Sequence, residues 1–390
     1  IEQTFVADGA SGRCGGMLNQ SLAHGESNVA HRFADEAEQL EDLGEQYVRE
    51  LLDTLERFGI DARYENTGFL DVAVDPDSVH ALRSEYEEEK EAGEDVVWFD
   101  RDAVREQVNS PRFHAGLWHR GSEDGIVDPA RLCWGLKDVL LNRLGVRIFE
   151  GTRLLSVKPS GKDKMKAHCE NGVIDCARVL LATNAFTSSV SRFRRTIIPV
   201  WDYQIATEPL TEEQLERINW GKSRQALDTY RKMFHYFRMT RDNRITFGGG
   251  GQVRYYFNRG TDKRLGDKQK AYETLAYEFF RMFPQLSDVK FSHKWGGIIA
   301  TSTRFCMVPG TAYEGRLAWV GGYTGSGVAP SRFGARIGIE MLGYRPSDIL
   351  DMKFVTRKTS PWAPEPFRWH GVRFTQKALI KADRNGGKRG

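Results

Sequence analysis

The chain has 390 residues, 40% hydrophobic and 11% aromatic, enough for a large core and two domains. Its 56 Lys+Arg against 53 Asp+Glu leave a net charge of +3, so no overall field draws nucleic acid or an anionic membrane. No apolar run approaches the ~20 residues that cross a bilayer, and the histidines lack metal-ligand spacing. The five cysteines are scattered and odd in number, with no CxxC spacing, so a reducing, cytoplasmic setting is expected.

In chain order, "FVADGASGRCGGMLNQ" (residues 5–20) crowds glycines, whose ordering is entropically costly, so something must approach that backbone closely. Val29, Phe33, Ala37, Leu40, Leu43, Tyr47, Leu51, Leu55 and Phe58 then recur at steps of three and four, predicting one long amphipathic helix capped by Ser27 and ended by Gly59. "TGFLDVAV" (67–74) reads as a strand, 77–92 as a charged helix, and "VVWFDRDAVREQV" (96–108) as a strand and short helix. A second amphipathic helix enters through Asp128 and Pro129, and "VRIFEGTRLLSVKP" (146–159) and "GVIDCARVLLATNAF" (172–186) supply strands, the latter ending in an apolar run typical of a buried parallel strand. Beyond residue 196, "IPVWDYQIATEPL" leads to a polar helix, a β-hairpin turning at Asp242-Asn243, and a helix over about 266–284. Residues 316–343 read as strand, glycine-rich turn and helix, and 345–390 as irregular.

Two of these units set glycine-rich backbone before a helix N-terminus, where N–H groups and the helix dipole favour an electron-rich ligand. No GxGxxG occurs, and "GGGG" at 248–251 follows a hairpin strand and opens no helix. The chain resembles the FAD-dependent D-amino acid oxidase superfamily, in particular its glycine oxidase, sarcosine oxidase and gamma-glutamylputrescine oxidase-like amine oxidases. "EQTFVADGASGRCGG" is similar to that family's second-strand end and flavin-contacting segment. "GIVDPARL", "GVRIFEGTRL", "VLLATNAF", "RITFGGG" and "WVGGYTGSGVAPSRFGARIGIEML" are similar to later family blocks in the same order.

The resemblance implies an α/β fold. A Rossmann-like FAD/NAD(P)-binding domain, incomplete at its N-terminus, would span 1–60, 125–195 and 292–345; an α+β substrate domain with a mixed sheet would span 61–124 and 196–291, with an extension over 346–390. The missing first strand and the "KADRNGGKRG" ending make the chain read as a shortened form of a longer protein. Glu2 would hold the adenosine ribose, and Ala10, Ser11, Gly12, Arg13, Gly15 and Gly16 would line the pyrophosphate, ribityl and flavin edge. Leu154, Ala182, Thr183 and Asn184 would meet the adenine half, and Gly325, Ser326, Gly327 and Val328 the flavin pyrimidine. FAD is expected to be noncovalent, because the linking cysteine of sarcosine oxidases falls at Trp295, while Cys306 reads as core. The lysines those enzymes place beside the flavin fall at about Thr246 and Ala329.

The implied activity is oxidation of the C–N bond of a small amine or amino acid to an imine by hydride transfer to flavin, with O2 as acceptor. A carrier-linked dehydrogenase and a non-catalytic flavin-fold subunit stay open beside it. Tyr236 and Trp295, with Tyr203 and Tyr230, would form an aromatic wall against the amine. Arg304 offers a fork for a substrate carboxylate, and His235 reads as structural. Neither a metal, a nucleic acid nor a membrane span enters this reading.

Overall fold

The computed structural model describes residues 1–120, 123–189, 193, 195–258 and 260–384. Alternation along its strands builds one eight-stranded sheet, in the order Phe291–Ser302, Ile197–Thr207, Ile245–Gly249, His235–Met239, Ala226–Thr229, Phe69–Ala73, Ala115–His119, Val96–Phe99. Neighbours are antiparallel except Ala226–Thr229 and Phe69–Ala73, which run parallel. Odd-numbered residues such as Tyr203, Ile205, Phe237 and Phe247 bury one face against Leu275 and Phe279 of the helix Gln269–Met282. Each such side chain contributes roughly 1.5–3 kcal/mol relative to exposure. The opposite face is polar and looks toward residues 13–16. The hairpin is as expected, with Asn243 left-handed at φ +59.

A smaller sheet pairs Val179–Leu181 in parallel with Leu317–Gly321, and the latter antiparallel with Val308–Ala312. The helix Pro330–Met341 packs on it so closely that a Cβ at Gly338 would come within 2.5 Å of Leu180. With the mixed sheet, this gives the expected α/β combination of a Rossmann-like unit and a substrate unit. Asp128 and Pro129 start the helix Pro129–Asn142 as predicted, the carboxylate accepting from Arg131 N at 3.1 Å.

Three local readings change. The long helix is two, Glu26–Arg32 and Ala37–Phe58, joined by a 3₁₀ turn over Ala34–Glu36. Phe33 leaves helical geometry at φ −136, ψ 37 and packs its ring against that of Phe354 in a tilted pair with centroids 5.1 Å apart. Glu36 turns its carboxylate to the backbone N–H groups of Lys353 and Phe354. Tertiary burial and a distant cap therefore outweigh continuity of the helix. Gly59 does end it, at φ +66, while the side chain of Ser27 lies outside the described residues. Residues 146–151 form no strand, Phe149 O accepting from Glu2 N and Gly151 N donating to Thr4 O, and the strand expected there starts at Leu154.

The region beyond 345 is more regular than its sequence suggests. It ends in an eighteen-residue helix, Phe367–Arg384. Polar anchors dock it instead of an apolar stripe: Asp383 accepts from Lys232 N (2.7 Å) and Met233 N (2.9 Å), and just before the helix Glu365 accepts from Tyr255 Oη (2.6 Å). No helix among the described residues is long and apolar enough to cross a membrane.

Candidate active site

Strand register assembles the polar face. Trp295 lies opposite Gln204, Gln204 opposite Gly248, and Gly248 opposite Tyr236, so one row crosses four strands. Gly248 is needed there: a Cβ would stand 2.6 Å from Gln204 Cγ and 2.8 Å from Tyr236 Oη, because these side chains close over it. Asp202, two residues before Gln204, shares the face. Tyr236 Oη donates to Asp202 Oδ2 at 2.7 Å, and Tyr203 N donates to Asp202 Oδ1 at 2.7 Å. Burial pushes the Asp202 carboxyl up to about 6, although hydrogen bonds from Tyr236, Tyr203 N and Gly249 N favour its ionised form. Burial first, and then the Asp202 charge, push the Tyr236 phenol well above its ordinary value. Gln204 is 5% exposed; its Nε2 is bonded, while its buried Oε1 has no hydrogen-bond donor among the described residues.

The glycine-rich segment is stitched to this face. Ala10–Arg13 form one helical turn, and the Arg13 carbonyl accepts from Gln204 Nε2 (3.0 Å) and Trp295 Nε1 (2.9 Å). Arg238 Nε donates to the Gly15 carbonyl, and a Cβ at Gly15 would touch the Tyr236 ring at 3.0 Å. Gly16 is left-handed at φ +73, where a Cβ would meet Val127 O at 2.2 Å. The Arg13 side chain ties Asp8 (Nη2–Oδ1 2.9 Å) to the Gly296 carbonyl (3.2 Å). Burial would raise Asp8, yet hydrogen bonds from Lys263, Thr4 and Arg13 hold it down at about 2.

A second backbone surface lies at the turn before Pro330–Met341. The N–H groups of Gly325, Ser326, Gly327 and Val328 donate to no protein acceptor among the described residues. Ahead of it, Asn184 Oδ1 accepts from Gly322 N at 3.0 Å, joining the carboxyl ends of the two parallel strands, where open α/β sheets hold ligands.

Residues 1–341 match the family model described as FAD dependent oxidoreductase. The chain belongs to this family. A probable oxidoreductase OrdL of Haemophilus influenzae is 26% identical over 356 residues, covering 88% of this chain and 76% of that protein. The gamma-glutamylputrescine oxidoreductase of Escherichia coli is 26% identical over 352 residues, with coverage of 88% and 77%. Among solved structures, glycine oxidase from Geobacillus kaustophilus superposes with a TM-score of 0.70 at 17% identity, covering 92% of this chain and 91% of that one. Iminodiacetate oxidase from Chelativorans sp. BNC1 also gives 0.70, at 14% identity with 88% and 89% covered. These two likenesses speak for the fold.

FAD is the cofactor of the family, and the chain's own geometry suits it. The flavin oxidoreductase scaffold presents one strained glycine segment and one turn of unpaired N–H donors at a helix N-terminus, a setting for an anionic, planar group. Of the residues expected to line FAD, Ala10 to Arg13 with Gly15 and Gly16 lie on the first surface and Gly325 to Val328 on the second. Ala182 to Asn184 lie at the parallel-strand ends, and Leu154 opens the neighbouring strand Leu154–Ser160. Glu2 N donates to Phe149 O at 2.9 Å, and its carboxylate accepts from Thr4 N at 3.2 Å.

Of the expected substrate residues, Tyr236 and Trp295 share the row, and the others do not. Tyr203 falls on the core face, bonded to Tyr256 Oη and Leu265 O, both at 2.8 Å. Tyr230 donates to Glu85 at 2.6 Å. His235 is stacked on Phe247, its pKa lowered to about 4 by burial. Arg304 corrects its expected role: its fork donates to the Phe354 and Arg357 carbonyls and lies over Phe33 and Phe354, in the core shared with the C-terminal region. Buried Cys306 lies in the same cluster. Ala329 is buried beside Leu51, and Thr246 is paired with Arg238.

Sequence reasoning missed Asp202, Gln204 and Arg238. The signal was present in "VWDYQIAT", where period-two alternation sets Asp202 and Gln204 opposite Tyr203 on a strand otherwise apolar. Two expectations follow at this point. Arg304→Ala lowers stability by about 2–4 kcal/mol in a denaturant titration, because it frees the buried Phe354 carbonyl and the half-buried Arg357 carbonyl, while leaving amine KM unshifted. Gly327→Val folds, since its Cβ would meet nothing nearer than Tyr323 Cβ at 3.3 Å, but fails to retain FAD when the purified protein is scanned for flavin absorbance.

Proposed function

We propose that this flavin oxidoreductase oxidises the C–N bond of a small amine to an imine that water hydrolyses, with O2 as electron acceptor. The buried Asp202–Tyr236–Gln204 arrangement, facing the glycine segment of the cofactor site, carries the reading. Bound FAD supplies the acceptor for the hydride leaving the carbon next to nitrogen. The protein's part is to bind the amine neutral and oriented. Above about pH 6 the ionised Asp202 holds the Tyr236 hydroxyl proton, which leaves the Oη lone pairs facing an amine N–H. Gln204 Oε1 offers a second acceptor for it. The Tyr236 and Trp295 rings wall the site and exclude water; the indole N–H is held by Arg13 O, fixing that ring.

Relatedness to the gamma-glutamylputrescine oxidoreductase supports an amine over a bulky apolar amino acid. Trp295 standing at the linkage position supports noncovalent FAD, so acid or heat denaturation is expected to release the flavin; flavin that stays on the polypeptide refutes this. Aerobic incubation with short alkyl amines, monitored for aldehyde and oxygen uptake, tests the reaction. Aldehyde with peroxide is expected. Aldehyde only with an added dye acceptor removes O2 from the proposal, and no aldehyde with either acceptor removes the amine.

A further inference from the structure

We infer that the outward ridge of the C-terminal helix Phe367–Arg384 docks on an anionic phospholipid surface, its phenyl rings entering the headgroup layer and its cations meeting the phosphates. The helix has two distinct sides. The inner one is held by the protein: Arg368 Nη2 donates to Glu365 Oε1 at 3.1 Å, Gln376 Oε1 accepts from Arg254 Nη1 at 3.1 Å, and Asp383 accepts from Lys232 N and Met233 N. Ile380 lies over Gly251, where a Cβ would stand 3.5 Å from its Cδ1. The other side therefore faces out, and Phe367, His370, Phe374, Lys377, Ala378 and Lys381 follow one another along it, all exposed.

That ridge is costly to leave in water. Phe374 is 76% exposed and Phe367 71%, more than any other large hydrophobic residue described. Seven residues separate them, roughly 10 Å along the axis. Phe257, also exposed, adjoins the start of the helix with its ring 6.3 Å from that of Trp369, and the Arg373 guanidinium lies 4.6 Å from the same indole.

Charge decides the occupant. Residues 367–381 contain Arg368, Arg373, Lys377 and Lys381 and no acidic residue. The flanking acids, Glu365 and Asp383, are turned inward and engaged. Arg373, Lys377 and Lys381 make no ion pair among the described residues. A net charge of +3 gives the whole chain little pull, so the attraction is local to this helix. A second copy packed ridge on ridge would set these cations against their own kind with no acid to offset them. A nucleic-acid duplex would take the cations and leave the rings in water. A protein groove would grip poorly, because Gly371, with nothing within 4 Å of a Cβ, leaves a gap between the two rings. An anionic lipid layer takes both features and needs no matching shape: the rings bury among headgroups while long Lys and Arg stems reach the phosphates.

The test is sedimentation of the FAD-loaded protein with vesicles of phosphatidylcholine containing about one-third phosphatidylglycerol, against phosphatidylcholine alone. Each cation at such a surface contributes about fivefold to partition, so the mixed vesicles are expected to bind about a hundredfold more tightly, and most of that to vanish at about 0.5 M salt. Lys377→Glu with Lys381→Glu, and separately Phe367→Ser with Phe374→Ser, are each expected to lower partition about tenfold or more, with thermal melt and flavin absorbance unchanged. Lys222→Glu with Lys270→Glu makes the same charge change at exposed positions outside the ridge and is expected to stay within about twofold of wild type. Wild type that remains in the supernatant with both vesicles overturns the inference, as does equal partition into the two. So does a control pair that loses as much as the Lys377 and Lys381 pair, or a phenylalanine pair whose loss changes nothing. A single-stranded oligonucleotide that binds wild type and not the ridge variants, while vesicles bind neither, overturns it in favour of nucleic acid.

Discussion

Replacing Asp202 by Asn lowers the limiting rate of flavin reduction by amines by about a hundredfold or more and removes the rise in that rate with pH near 6. The magnitude is that of a lost proton-handling group, and the pH comes from the buried carboxyl, raised to about 6 from 3.8. Below that pH the carboxyl is protonated and no longer commands the Tyr236 hydroxyl proton; above it, Tyr236 Oη is available to accept from the amine. The same shift has the opposite sign for stability. Between 3.8 and about 6 the native carboxyl keeps a proton that the unfolded chain has lost, so its contribution is complete below 3.8 and disappears as pH rises through 6. The full span is about 3 kcal/mol. Stopped-flow reduction across pH 5–8 checks the kinetic half, where an unchanged limb in Asp202→Asn assigns it to another group.

Gly16→Val produces the largest structural loss, about 3–6 kcal/mol, with no FAD retained on purification. A side chain there is strained twice. The backbone is left-handed at φ +73, and the new Cβ would lie 2.2 Å from Val127 O, 2.9 Å from Arg238 Nη2 and 3.1 Å from Pro129 Cδ. Those neighbours are backbone, a buried guanidinium and a proline ring, none of which can retreat cheaply. It also displaces the Val127 N to Gly16 O bond of 2.8 Å, which aligns the segment on the sheet. Gly221→Val is the control: nothing lies within 4 Å of its Cβ, and the change is expected within about 0.5 kcal/mol. Thermal melts and flavin absorbance of the two variants check both statements.

Those residues also show what the sequence made legible. Glycine clusters at 9–16 and 325–327 mark where backbone must come close, because nothing else explains so many flexible residues beside helix starts. The hairpin at Asn243 and the caps at Asp128 and Gly59 are local chemistry and read correctly. The break at Phe33 does not, since its cause is Phe354, far along the chain. The final helix escapes because polar anchors such as Asp383 hold it and leave no apolar period. Within the site, aromatic character singled out Tyr203 along with Tyr236, and only strand parity separates them. Arg304 and Arg238 look alike in sequence; their surroundings distinguish a guanidinium bound to core carbonyls from one facing a cleft.

Anaerobic mixing of the FAD-loaded protein with short alkyl amines and with small amino acids, following the visible absorbance of the flavin, bears most directly on the proposed reaction. Loss of that absorbance on mixing, slowed by Asp202→Asn and Tyr236→Phe, is the predicted result. Flavin that is bound and stays oxidised with every amine and amino acid offered would contradict it.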